Sequence, residues 1–164
     1  LFILTTLNLL DNELERIGLA LSRLSDEQLW HKLKDETNSV GNLCLHLAGN
    51  EYHSIVSSIG GEPYVRERSA EFLMENGYTR RELSERLYSV REKSREVLAA
   101  LSEEDLYREV YVYYPPEAGI ASYTRKMMDL LYHVTAHYAY HTGQIVYITR
   151  MLQKHNEHLL KWRH

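Results

Sequence analysis

Leu7, Leu10, Leu14, Ile17, Leu21 and Leu24 recur at alternating steps of three and four, which sets them on one stripe of a helix. Ser25 and Gln28 then have the form of a capping box, opening a short turn that buries Leu29 and Trp30. Polar residues 31–38 make a connector, and Ser39 caps a second long helix whose apolar side runs through Leu43, Leu47 and Ile55 until Gly60-Gly61 stops it. Residues 60–78 have no clean period and read as a crossover with at most a short helical turn. Thr79 and Glu82 form the next capping box, before a helix striped by Leu83, Leu87, Val90, Ser94, Val97 and Leu101. Tyr111 to Tyr114, before Pro115-Pro116, suggest a brief extended segment, and Ser122 is placed to cap a last helix running to about Leu152, with a polar tail to His164.

Two stretches match almost position for position: LSDEQLW at 24–30 and LSEEDLY at 101–107. Each follows a leucine-striped helix and precedes a connector and a second long helix, so the chain reads as two helix pairs joined by one long crossover. That is an all-α four-helix bundle forming one domain over residues 1–164. The repeat also aligns His46, in LCLH, with His133, in LLYH.

Composition narrows the functional classes. A net charge of −4 gives no basic footprint for nucleic acid. No apolar run approaches the roughly 18 residues that span a bilayer, and LFILTTLNLL reads as the start of a helix because acidic residues, not a small-residue cleavage site, follow it. One cysteine, Cys44, cannot form an internal disulfide, which fits a reducing, cytoplasmic setting. Its place two residues before His46 points it away from that histidine's face, to pack as a small apolar group. The 13 tyrosines against two phenylalanines offer amphipathic positions for a pocket wall or a dimer surface.

The histidines carry the candidate chemistry. His133, His137 and His141 climb one helix at four-residue steps, each rotating by about 40° and rising about 6 Å, so one adjacent pair can close on an ion and all three cannot easily do so. His46, on a striped helix facing the same core, is the natural third ligand; three neutral imidazoles leave coordination positions open, as in catalytic metal sites. Burying His137 and His141 beside Ile145 and Ile148, on one core-facing side with Gln144, costs energy unless something satisfies the rings. Asn50 and His53 follow His46 on its face, placed to orient a ligand or to be polar residues at a bundle end. Gln144 can donate to a substrate or, in the favoured reading, bridge helices. Arg66 and Arg68 can clamp a carboxylate, although a solvated charged loop is the simpler reading.

HLAGNEYH on the second helix and HVTAHYAYHTGQI on the last resemble the DinB/YfiT-like superfamily, marked by one histidine on helix two and an HxxxH pair before a glycine-glutamine dipeptide. SVGNLCLHLAGN, RERSAEF and YHTGQIVYIT are similar to an uncharacterised branch of it. The resemblance implies that His46, His137 and His141 hold one divalent ion, with zinc or nickel ahead of manganese or iron, and that His133 supports or packs. It further implies a homodimer and a thiol S-transferase type of activity on a small-molecule substrate. The co-substrate would be a low-molecular-weight thiol, as in relatives that use bacillithiol or mycothiol and in a thiol-dependent maleylpyruvate isomerase. The alternatives are a non-catalytic metal-binding or dimerisation module and a bundle whose histidines are merely core residues.

Overall fold

The protein's structure, a computed structural model, describes residues 1–154, 158 and 159, so most of the expected polar tail lies outside the described residues. Four long helices dominate: α1 (Phe2–Ser22), α3 (Val40–Glu51), α5 (Arg80–Ala99) and α6 (Met127–Leu152). Shorter α2 (Asp26–Trp30) and α4 (Arg68–Leu73) lie in the first connector and in the crossover. α1 packs on α6 and α5, and α3 packs on the same two helices, which closes a four-helix bundle.

The apolar stripes set this packing. Leu7, Leu10, Leu14, Ile17, Leu21 and Leu24 are all buried, as the sequence predicts. Ser25 and Thr79 each accept from the backbone N–H three residues on, and Gln28 and Glu82 reach back in return. Ser39 does the same with Asn42, whose side-chain amide also donates to the carbonyls of Glu71 and Met74 and so ties the crossover to the start of α3. A side chain at Gly41 would meet the Trp30 ring at 2.8 Å, so the short α2 can press against α3 only where a glycine stands.

The structure departs from the sequence reading in three places. Past Glu51 the second helix continues in π geometry, Tyr52–Ile59, with Gly60 N–H donating to the Ile55 carbonyl five residues back. Ser122 does not cap α6. It lies beside a β-hairpin, β1 (Glu109–Val112) paired antiparallel with β2 (Tyr123–Lys126), where its hydroxyl binds the backbone N–H and carbonyl of Tyr114, and α6 begins only at Met127. The extended segment foreseen at 111–114 is thus one strand of a hairpin, displaced by two residues. The third departure is on α5, whose buried face is Leu83, Leu87, Arg91, Ser94 and Leu98; Val90, Val97 and Leu101 are only partly buried.

Arg91 is the unexpected member of that face. Its guanidinium is bidentate to Glu51 of α3, with Nε 2.7 Å and Nη2 3.1 Å from the two carboxylate oxygens. It also donates to Asp11 of α1 at 3.1 Å and lies 5.0 Å from the centre of the Tyr138 ring of α6. Burial works against its charge, but Glu51 more than offsets this and raises the Arg91 pKa. One side chain therefore joins all four long helices.

Candidate metal centre

His46 on α3 and His137 and His141 on α6 converge where these helices pack. One ligand nitrogen from each lies within 4.8 Å of the others, and the Nε2 atoms of His46 and His137 are 2.9 Å apart. His46 is buried and the other two are half-buried. The histidines do not share the buried line of α6, as the sequence suggests. That line is Val134, Tyr138, Ile145 and the hydroxyl-bearing Thr142 and Thr149; His137, His141, Gln144 and Ile148 run along its flank. The flank position explains how imidazoles can sit against a core while keeping one side accessible.

Neighbouring groups fix the rings. Glu71 of α4 accepts from His46 Nδ1 at 2.9 Å, and its carboxylate is held by Arg66, whose Nε and Nη2 donate at 2.7 and 2.9 Å. The Gln144 side-chain oxygen accepts from His141 Nδ1 at 2.6 Å. A carboxylate and an amide carbonyl only accept, so in these two bonds Nδ1 donates and Nε2 keeps its lone pair for the convergence point; Arg66 Nη2, 3.1 Å from His46 Nδ1, donates to Glu71 at the shorter 2.9 Å. Gly49 makes the Glu71 contact possible: a side chain there would come within 2.1 Å of Glu71 Oε1.

The donor set fits a divalent ion. Ligand bonds of about 2.0–2.1 Å in a tetrahedral site put nitrogens roughly 3.3 Å apart, within the observed spread. His137 Nδ1 is buried without a partner among the described residues, and two facing Nε2 atoms 2.9 Å apart need a proton or a cation between them. Burial first, then the neighbouring His46 and His141, lowers the His137 pKa to about 3. Burial also lowers that of His141, against the opposing bond to Gln144. His137 and His141 are therefore neutral at pH 7, the protonation state that a metal requires of imidazole.

The other expected residues sit close by in different roles. His133, exposed, stacks on His137 with ring centres 5.9 Å apart and is not one of the three converging rings. His53, on the π segment, donates from Nε2 to the Tyr113 carbonyl at 2.7 Å, and the Tyr64 and Tyr114 rings meet it edge-on. Burial lowers its pKa against that backbone bond, so it too is neutral at pH 7. Its Nδ1 and the Asn50 side-chain oxygen are buried acceptors with no partner among the described residues. Gln144 orients His141 within its own helix, where the sequence favoured a bridge between helices. Arg66 is not a solvated loop residue: its side chain is 3% exposed because Glu71 neutralises it. Arg68 lies over the Phe72 ring, which in turn packs on His46.

Glu71 escaped the sequence reading, although RERSAEF, which contains it and Arg66, was part of the resemblance. Glu71→Gln is expected to weaken metal binding by about 10–100-fold, the usual effect of removing a carboxylate that orients a metal-binding histidine. Competition against a chelator of known affinity checks this; an affinity within twofold of wild type would exclude an orienting role for Glu71.

The depressed histidines also predict a pH dependence. Between about pH 3 and the ordinary value of 6.5, the unfolded chain binds a proton at residue 137 that the folded protein does not. This contribution to the stability of metal-free protein is complete above pH 6.5 and is lost as pH falls toward 3. Urea unfolding at pH 7 and pH 4.5 should show a smaller loss in His137→Gln than in wild type, and equal losses would contradict the assignment.

The comparisons with known proteins bear on the fold. No curated protein matches the chain. A conserved protein from Enterococcus faecalis superposes with a TM-score of 0.69 at 16% identity, covering 90% of this chain and 95% of its own. A DinB-like protein from Bacillus cereus superposes with a TM-score of 0.65 at 17% identity, covering 85% of each chain. The fold is thus DinB-like, with the hairpin added to its four helices. A family model described as a protein of unknown function, DUF1572, matches residues 5–162, nearly the whole chain, and the chain therefore belongs to the DUF1572 family.

Proposed function

We propose that the protein is a divalent-metal-dependent enzyme in which His46, His137 and His141 hold one ion and a low-molecular-weight thiol attacks an electrophilic small molecule. The observation that carries this reading is the convergence of three imidazoles, two of them with Nδ1 protons committed to Glu71 and Gln144. Three nitrogen ligands leave room for a fourth, and a metal there supplies a lowered thiol pKa, so that the thiolate exists at neutral pH.

The chain's own residues do the rest. Cys44 cannot be the nucleophile: it is buried, and burial pushes its thiol up to about 12. The thiol must come from outside. A recess of about 340 Å³, walled by Leu33, Leu43, Tyr147 and Ile148 with Glu36, Thr37 and Asn38 at its polar side, offers the electrophile a seat beside Gln144, which is hydrogen-bonded to His141. In the reaction the thiol sulfur forms a bond to carbon, the bond to the leaving group breaks, and the thiol proton passes to solvent.

The test is conjugation of a panel of small thiols with electrophiles by protein loaded with zinc, nickel or manganese. Turnover that depends on both metal and thiol, and falls to background in His46→Ala, is expected. If every metal and thiol gives only the His46→Ala rate, the protein is a metal-binding module without this activity.

A further inference from the structure

The histidines lie between α3 and α6; a second concavity lies between α3, the crossover and α5. This cleft encloses about 470 Å³, within the range that holds small-molecule ligands. Its walls are apolar where Leu45, Ala48, Val65, Met74 and Val90 line it, and Gly49 keeps the α3 side low. Arg86 and Lys93 line it from α5. Seven residues apart, they share one face of that helix about 10 Å from each other.

Both cations are held in place without being neutralised. The Arg86 guanidinium lies 5.9 Å from the centre of the Tyr78 ring and the Lys93 ammonium 5.6 Å from that of Tyr52. Neither has a carboxylate partner among the described residues. The other charges of the lining are Arg66 and Glu71, which neutralise each other, and the exposed Glu67. The lining thus has a net positive charge in a chain whose net charge is −4. An apolar floor beneath unpaired cations complements a molecule with an apolar body and a negative head.

We propose that this cleft binds a small organic anion with an apolar body, its head group taken by Arg86 and Lys93 and its body by the wall from Leu45 to Val90. The site is separate from the histidine cluster and does not depend on the metal reading. Arg66 and Glu71 form the partition between the two, because Glu71 lines the cleft and also binds His46.

Octanoate, octanol and octylammonium serve as probes, titrated calorimetrically into metal-free and metal-loaded protein at low and physiological salt. Octanoate is expected to bind saturably, at about one per chain and at least tenfold more tightly than octanol, with no binding of octylammonium. Arg86→Gln/Lys93→Gln changes exposed residues only and should bring octanoate down to the octanol level with unchanged thermal unfolding. Ser89→Trp, on the exposed edge of the same wall, should abolish binding of both. Equal affinity for octanoate and octanol, retention of octanoate binding in the double variant, or no saturable binding of any probe would each overturn the proposal.

Discussion

Arg91→Ala is expected to lower the unfolding free energy by about 3–5 kcal/mol, the cost of stranding one member of a buried ion pair. Glu51 is fully buried and each of its carboxylate oxygens accepts a hydrogen bond from Arg91. Without the guanidinium it must either ionise unpaired in the core or bind a proton. Against the 5–15 kcal/mol that holds an ordinary domain together, such a loss is large. Urea denaturation measures it, and a loss below about 1 kcal/mol would mean that the pair is not the pin that its geometry suggests. Arg91→Met/Glu51→Leu separates the two contributions: removing both charges and keeping the volume should restore most of the stability, because a well-packed apolar pair can equal a buried salt bridge.

The second large effect is on metal content. His137 is the middle ring of the cluster, edge-on to both His46 and His141 at 4.8 and 4.5 Å between centres. His137→Ala leaves two imidazoles with no third ligand between them. Protein purified without a histidine tag should hold about one equivalent of metal as wild type and less than about a tenth in the variant, since a bound divalent ion of this kind needs at least three protein ligands. Substoichiometric metal in both proteins would end the metal reading. His133→Ala is the control: the exposed ring stacks on His137 without joining the three-nitrogen group, so its loss should leave the metal content in place.

Much of this architecture was legible in the residues. The α1 stripe and the caps at Ser25, Ser39 and Thr79 were legible because each depends on neighbours within one or two turns. His46, His137 and His141 were expected together from the resemblance carried by HLAGNEYH and HVTAHYAYHTGQI, and their ring nitrogens do converge, from the flank of the α6 apolar line. The parts that were not legible depend on partners far along the chain. Arg91 on a core face is paradoxical until Glu51, 40 residues earlier, is placed beside it. Arg66 reads as a solvated loop cation until Glu71 folds onto His46. Ser122 looks like a helix cap because serine suits that position, and only the pairing of residues 109–112 with 123–126 shows that the chain is still extended there.

The π segment leaves a trace of its own in any alignment. A π turn holds one residue more than the α turn it replaces, so Tyr52–Ile59 behaves as the footprint of a single inserted residue. A relative with the same α3 but an unbroken α-helix would keep His46 and Asn50 in register and lose register by one position afterwards. A comparison made without a gap there would set the residue next to His53 against the relative's equivalent histidine. Deleting one residue between Tyr52 and Ile59 would let the segment rewind as plain α-helix, with the residues beyond the deletion keeping the side they now face.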